Sequence, residues 1–280
     1  MDTLAVFDLV CSPIQTHNNS IWRYMNMKAF DLTGRVAIVT GGNGGIGLGM
    51  ARGLAAAGAT VAIAGRNMDK TNKAVEELTT AGGKALALEV DVTSAASVEA
   101  MVAEAVSLAG RLDILVNNAG MNNRKRPEEL SDEEWNEVME TNLTSMFRCS
   151  KAVYPEMKKV GGGKILNNGS MKSLFADALT PVYAASKGGV VQLTKSLAAA
   201  WAADNIQVNA FLPGWVDTDL TRKAREQIPT LNENVLRRTA QGRWGDIDDF
   251  QGIAVFLASQ ASNFITGTAI PVDGGYSSVG

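Results

Sequence analysis

From Arg35 onward the chain alternates short apolar runs with amphipathic segments, a pattern that few architectures accept. The runs 35–40, 59–64, 84–90, 112–116, 164–168, 206–212 and 268–272 have strand length and read as buried strands. Between them, a segment from Met50 to Ala57 and the stretches 69–81, 94–109, 182–203 and 246–259 have helical length and punctuation. Gly82-Gly83 ends the helix at 69–81. Ser94 or Thr93 caps the one that follows. Ser131-Asp132-Glu133-Glu134 forms a capping box that opens a long helix running towards Pro155. Regular strand–helix alternation predicts an α/β fold, a doubly wound parallel sheet of seven strands with helices on both faces. Neither a Pro-, Gly- or Ser-rich linker nor an internal repeat divides it, so residues 27–280 read as one Rossmann-type domain. In such sheets the ligand lies beyond the carboxyl ends of the strands, near the point where strand order reverses. The charged, weakly patterned stretch 221–241 reads as a mobile lid.

Residues 1–26 do not share the pattern. The apolar run Leu4–Val10 is short, contains Asp8 and has no cationic flank, so it is a poor signal peptide. With Met25 and Met27 close behind, this stretch reads as a loose arm or the product of an upstream start codon.

Residue inventory narrows the chemistry. The sole histidine, His17, lies in that N-terminal stretch, and the only cysteines are Cys11 and Cys149. A Ser-His-Asp hydrolase needs a histidine placed in the fold, and zinc sites draw on His and Cys clusters. Neither resource is present, so no metal is expected and the chemistry falls to Ser, Tyr, Lys, Asn or carboxylates. Two isolated cysteines make no disulfide framework and suit a reducing compartment, the cytoplasm. A net charge of −3 gives no footprint for nucleic acid or an anionic membrane. No apolar run approaches the ~20 residues a membrane span requires.

The first strand ends in Thr40-Gly41-Gly42-Asn43-Gly44-Gly45-Ile46-Gly47. Glycines between a strand and a helix let backbone approach a pyrophosphate, and the helix N-terminus supplies amide donors. The second strand ends in Ala64-Gly65-Arg66, without the acid that usually holds a ribose 2′-hydroxyl. Arg66 offers a planar fork suited to a 2′-phosphate, which favours NADP over NAD.

Tyr183 and Lys187 are four residues apart near the start of a long helix, so they share one face. A phenol with its ordinary pKa of about 10 is a poor base, and a nearby ammonium lowers that value. By spacing alone such a pair is ordinary helix surface; its company gives it meaning. Asn117-Asn118-Ala119-Gly120 follows the fourth strand, Asn142 stands in Thr141-Asn142-Leu143, and Ser170 follows the fifth strand. Pro213-Gly214-Trp215-Val216-Asp217-Thr218 follows the sixth. These motifs, in this order, resemble the short-chain dehydrogenase/reductase family from about Leu32 to Tyr276.

The resemblance implies a catalytic set of Asn142, Ser170, Tyr183 and Lys187. Tyr183 would exchange the proton, Ser170 would hydrogen-bond the substrate oxygen, and Lys187 would lower the tyrosine pKa and hold the nicotinamide ribose. Asn142 would position a water linking Lys187 to solvent. It implies a cofactor site of Gly41, Asn43, Gly45, Ile46, Gly47, Arg66, Asp91 and Val92. Asn118, Ala119, Gly120, Tyr183, Lys187, Pro213, Gly214, Val216 and Thr218 would complete it. One departure is Asn168, where the family usually carries an aliphatic side chain; a buried amide there needs partners.

The C-terminal segments Gly242-Arg243-Trp244-Gly245 and Val272-Asp273-Gly274-Gly275-Tyr276, with Met171 after Ser170, resemble a narrower branch. That branch contains gluconate 5-dehydrogenase, 2-deoxygluconate 3-dehydrogenase and glucose 1-dehydrogenase. In the loop Met121-Asn122-Asn123-Arg124-Lys125-Arg126, Arg124 is placed to bind a sugar-acid carboxylate and the asparagines its hydroxyls. Substrate contacts would then come from Arg124, Ser170 and Tyr183. The expected activity is a ketone–secondary alcohol interconversion on a sugar acid or polyol. The alternatives are 3-oxoacyl-carrier-protein reduction and a non-catalytic cofactor-binding regulator. The family commonly forms homotetramers.

Overall fold

The computed structural model describes residues 28–278, so His17, Cys11 and the expected loose arm at 1–26 lie outside the described residues. The domain alternates strand and helix. In chain order these are β1 (Val36–Thr40), α1 (Gly45–Ala56), β2 (Thr60–Gly65), α2 (Met68–Thr80), β3 (Lys84–Glu89), α3 (Ala95–Ala109) and β4 (Ile114–Asn117). Then come α4 (Asp132–Met139), α5 (Ser145–Lys159), β5 (Gly163–Asn168), α6 (Pro181–Trp201), β6 (Ile206–Pro213), α7 (Asp219–Gln227), α8 (Leu231–Arg238), α9 (Gln251–Ala258) and β7 (Ala269–Val272).

The strands form one seven-stranded sheet in the order β3-β2-β1-β4-β5-β6-β7. Every pairing is parallel. Strand order reverses between β1 and β4, and the crevice at that point faces the glycine turn. Side chains in β1 alternate between two cores. Ala37 and Val39 join Met50 and Leu54 of α1 and Leu257 of α9 on one face. Val36 and Ile38 join Met101 of α3, Val153 of α5 and Leu197 of α6 on the other. A strand buried on both faces has no polar side, which is why these runs read as continuously apolar.

Local signals set the helix ends. The Ser94 side chain accepts from the Ser97 amide at the head of α3. Ser131 and Glu134 cap one another's backbone at the head of α4. The expected long helix continues from α4 through a wide π-turn at Glu140–Thr144 into α5. It passes Pro155 and stops only at Lys159. Proline forfeits one backbone bond, while the buried Cys149, Val153 and Met157 hold this face of α5 to the sheet.

The expected weakly patterned stretch 221–241 is instead largely built as α7 and α8. Ala224, Ile228, Leu231 and Val235 are spaced four, three and four residues apart and pack together with Trp215 and Trp244. That helical period is sparse, and the charges around it masked it. The C-terminal stretch expected at 246–259 begins with a tighter 3₁₀ turn at Ile247–Phe250 before α9.

Candidate active site

The site gathers at the carboxyl ends of β1, β2, β4, β5 and β6. Gly41 follows β1 with φ +63° and Gly45 opens α1 with φ +52°, both in the left-handed region open to glycine. At Gly47 the constraint is close approach: a Cβ there would lie 2.4 Å from Asn118 Nδ2 and 2.5 Å from the Gly41 oxygen. Asn118 Nδ2 donates to the carbonyls of Thr40 and Gly41, each at 3.1 Å. The Thr40 hydroxyl accepts from the Asn118 and Ala119 amides at 3.0 and 3.2 Å. The glycine turn and the loop after β4 are thus one hydrogen-bonded unit.

A cleft of about 500 Å³ opens on one side of this unit, lined by Gly41, Arg66, Asp91, Val92, Ala119 and Gly120 among others. Arg66 is exposed at its edge. The amide and hydroxyl of Thr93 donate to Asp91 at 3.0 and 2.7 Å and hold its carboxyl below the usual range; the Arg66 charge adds to this. A second cleft of about 620 Å³ shares Asn43 and Gly120 with the first. It runs over Gly45 and Ile46 to Tyr183, Lys187 and Thr218, with Lys70 and Lys73 of α2 on its wall. A groove floored by a helix N-terminus, narrowed by obligatory glycines and flanked by cations fits an elongated, anionic dinucleotide. Pro213 and Gly214 border a small neighbouring pocket, while the Val216 side chain is buried in the core and does not line the groove.

Tyr183 and Lys187 stand one turn apart near the start of α6. The Lys187 ammonium is buried and donates to the backbone oxygen of Asn168 at 2.6 Å. It sits 5.6 Å from the Tyr183 ring centroid. With no carboxylate beside it, burial pushes Lys187 down to about 7. Burial likewise pushes the Tyr183 phenol up, against the opposing effects of the Ser170 hydroxyl and the Arg124 charge. The sequence led us to expect a phenol lowered by Lys187. In this structure desolvation sets the direction, outweighing the Ser170 hydrogen bond and the Arg124 charge.

Ser170 caps a short 3₁₀ turn, its hydroxyl accepting from the Lys172 amide at 3.1 Å. Its own amide donates to Ser173 Oγ, which donates to the Lys187 carbonyl at 2.7 Å, so this loop is fastened to α6. Asn142 lies in the π-turn, fully buried. It accepts from the Met121 amide and donates to the Met121 carbonyl, both at 2.8 Å, and donates to Ser186 at 3.2 Å. It therefore ties the loop after β4 to α6. π-turns occur often at functional sites.

A small pocket of about 90 Å³ adjoins the Tyr183 side of the groove, lined by Asn122, Arg124, Ser170, Tyr183, Trp215 and Tyr276 among others. Arg124 is half-buried and makes no ion pair among the described residues. Burial lowers its pKa, while Asp177 and Tyr183 act in the other direction. Asn122 Oδ1 is buried with no hydrogen-bond partner among the described residues. The next two cations of the loop face elsewhere: Lys125 pairs with Glu134 and Arg126 with Glu128.

Sequence reasoning missed an aromatic wall behind this pocket. The Arg238 guanidinium lies 4.8 Å from the Phe175 ring centroid and 4.4 Å from that of Tyr276. These residues come from three separate segments with no shared motif, so no local signal could have joined them. Among the described residues, no group of three or more His, Cys, Asp or Glu side chains could hold a metal ion, and no helix is long and apolar enough to cross a membrane. Cys149 is free and buried, its thiol pushed up to about 12 by desolvation.

Comparison with known proteins agrees with this geometry. Residues 41–277 match the family model described as enoyl-(acyl carrier protein) reductase. The chain is 42% identical to the 2-dehydro-3-deoxy-D-gluconate 5-dehydrogenase of Dickeya dadantii, covering 90% of this chain and 99% of that protein. It is 41% identical to a galactitol 2-dehydrogenase (L-tagatose-forming) from Cereibacter sphaeroides, covering 88% of this chain and 96% of the relative. Among solved structures, a gluconate 5-dehydrogenase from Burkholderia cenocepacia, in complex with NADP and tartrate, superposes with a TM-score of 0.87. That match has 39% identity and covers 91% of this chain and all of that one, 100%. With the glycine turn, Ser170, Tyr183 and Lys187 at the ends of a parallel sheet, and relatives of this identity along nearly its whole domain, the chain belongs to the short-chain dehydrogenase/reductase family.

Proposed function

We propose that this protein is an NADP-preferring oxidoreductase that interconverts a ketone and a secondary alcohol on a sugar acid or a closely related polyol. The observation that carries the substrate class is the pocket beside Tyr183: an ion-pair-free guanidinium and an unpartnered amide oxygen, Arg124 and Asn122, line one small cavity with Ser170 and Tyr183. A guanidinium suits a carboxylate, and an amide oxygen accepts from a hydroxyl. A substrate bearing both groups satisfies both. The names of the relatives point the same way, as does the tartrate in the Burkholderia complex.

The cofactor would lie along the groove from Arg66 to Lys187, held by the glycine turn, Asp91, Val92, Asn118, Ala119 and Gly120. Pro213, Gly214, Thr218 and the backbone of Val216 would close its nicotinamide end. When bound, it supplies or accepts the hydride. The chain does the rest. Ser170 donates a hydrogen bond to the substrate oxygen and offsets its developing charge. The Tyr183 hydroxyl gives its proton to the carbonyl oxygen in reduction, and its phenolate takes one from the alcohol in oxidation. Lys187 supplies the nearby cation and holds the ribose. Asn142 fixes the loop after β4 against α6 and through it positions the water that links Lys187 to solvent.

Reduction of an acyl-carrier substrate fits less well, because an acidic carrier needs a basic landing surface and Lys125 and Arg126 are already paired with Glu134 and Glu128. A non-catalytic regulator would have no use for the complete proton-transfer set. We also place the protein in the cytoplasm, on its scarcity of cysteine, and read it as a homotetramer. Leu108, Trp135 and Phe147 on α3, α4 and α5 are 58%, 39% and 47% exposed and offer the apolar surface that oligomers bury. The deciding experiment assays the purified protein on sugar acids, polyols and an acyl-carrier substrate, with NADPH and NADH. Highest kcat/KM on a keto sugar acid or polyol supports the reading; turnover of the acyl-carrier substrate alone overturns it.

A further inference from the structure

Asn168 ends β5 at the position where an aliphatic side chain was expected. Its amide orientation is forced by a chain of commitments. Asn118 spends its Nδ2 on the carbonyls of Thr40 and Gly41, so only its Oδ1 remains, and that oxygen accepts from Asn168 Nδ2 at 2.9 Å. Asn168 must therefore keep its own oxygen turned away from Asn118. That Oδ1 is buried and has no partner among the described residues. An unsatisfied buried acceptor is costly in a native fold and calls for a ligand that satisfies it.

Where it sits selects the ligand. Asn168 lines the larger cleft together with Tyr183 and Lys187, and does not line the small pocket around Arg124. Its backbone oxygen is the acceptor for the Lys187 ammonium. We infer that the Asn168 side-chain oxygen is a cofactor-binding group that accepts a hydrogen bond from a hydroxyl of the nicotinamide ribose. This rests on the dinucleotide reading of the groove given above. One residue then links three parts of the site: its Nδ2 braces the glycine turn through Asn118, its backbone oxygen aims Lys187, and its Oδ1 receives the ribose.

The test is calorimetric titration of the full-length protein with two ligands. NADP⁺ carries the nicotinamide ribose; adenosine 2′,5′-bisphosphate carries the adenosine end alone. Asn168→Leu, close in shape, also removes the brace to Asn118, so it should weaken NADP⁺ binding about tenfold more than it weakens adenosine 2′,5′-bisphosphate binding. Unchanged NADP⁺ affinity in the folded variant overturns the inference. So does equal weakening of both ligands, which would show that Asn168 acts only by bracing the turn. Should Asn168→Leu fail to fold, Asn168→Val is read the same way. An NADP⁺ analogue lacking one nicotinamide-ribose hydroxyl separates Asn168 from Lys187: for one of the two positions the affinity lost in the wild type should be lost no further in Asn168→Leu, and equal losses in wild type and variant for both deoxy analogues, or full wild-type affinity for both, overturn the inference. If the wild type binds neither NADP⁺ nor adenosine 2′,5′-bisphosphate, the dinucleotide reading fails, a result distinct from those above.

Discussion

The Lys187 ammonium points at the backbone oxygen of Asn168, 2.6 Å away, and not at the Tyr183 hydroxyl four residues before it. The pair therefore shares no hydrogen bond, and the ammonium approaches the phenol only across its ring face, 5.6 Å from the centroid. Burial without a carboxylate brings Lys187 down to about 7, whereas an unfolded lysine titrates near 10.4. Between those values the unfolded chain holds a proton that the folded chain has released. By linkage, this group makes the ligand-free protein more stable as pH rises from about 7 towards 10, by up to about 1.4 kcal/mol per unit. Lys187→Met removes that contribution. Denaturant unfolding at pH 6 to 9 should show the variant's advantage over wild type constant below pH 7 and shrinking above it. An advantage that stays the same across the range would disprove the lowered pKa.

Proton transfer at Tyr183 is the central chemical assignment. Tyr183→Phe keeps the ring and loses the hydroxyl, so turnover should fall about a thousandfold while cofactor affinity changes little. Ser170→Ala should cost kcat about a hundredfold through loss of the hydrogen bond to the substrate oxygen. Turnover close to wild type in Tyr183→Phe would remove the phenol from the mechanism.

Much of this was legible beforehand, and the limits have physical causes. Strands buried on both faces leave an unmistakable apolar run, so the sheet could be read from residues such as Val36–Thr40. The glycine turn, Ser170, Tyr183 and Lys187 each stand at a strand end or helix start, where local pattern fixes their position. By contrast, α7 and α8 escaped because Ala224, Ile228, Leu231 and Val235 are few among many charges. The direction of the Tyr183 shift was missed because desolvation is a property of the packed site. The Arg238 contact with Phe175 and Tyr276 joins distant segments and leaves no trace in any one of them. Asn168 gave a partial signal: its polarity stood out, but only the geometry shows which of its atoms is left unpaired.

Arg124 should govern substrate charge. Arg124→Gln keeps hydrogen-bonding capacity and removes the pocket's unpaired positive charge, leaving Lys172 paired with Asp177. The KM for a keto sugar acid should rise ten- to a hundredfold, while a neutral polyol changes by less than threefold. Equal effects on both substrates would show that Arg124 shapes the pocket without recognising a carboxylate.

Arg66 should govern the choice between cofactors. It is the cation that follows β2 on the adenosine side of the groove, at a strand tip that carries no acid of its own. Arg66→Ala should lower kcat/KM for NADPH about tenfold or more and leave NADH within twofold, because the two differ by the 2′-phosphate alone. Identical losses with both cofactors would detach Arg66 from the phosphate.

Two glycines of α1 separate site geometry from packing. A Cβ at Gly47 would collide with Asn118 Nδ2 at 2.4 Å and the Gly41 oxygen at 2.5 Å, both in the unit that shapes the groove. A Cβ at Gly49 would meet the Ile247 carbonyl oxygen at 1.9 Å, where α1 packs against the turn before α9, away from the groove. Both substitutions to alanine overpack rigid backbone and should destabilise by about 1–3 kcal/mol or more. Their effects on ligand should differ. Gly47→Ala forces Asn118 to move and with it the turn it holds, so the folded fraction should bind NADP⁺ at least tenfold more weakly. Gly49→Ala leaves Asn118 in place, so its folded fraction should keep near-wild-type affinity despite the lower Tm. Thermal unfolding with and without NADP⁺ reads both quantities at once. If the cofactor raises the Tm of the two variants equally, the close approach at Gly47 serves helix packing alone and the glycine turn is not the element that meets the dinucleotide.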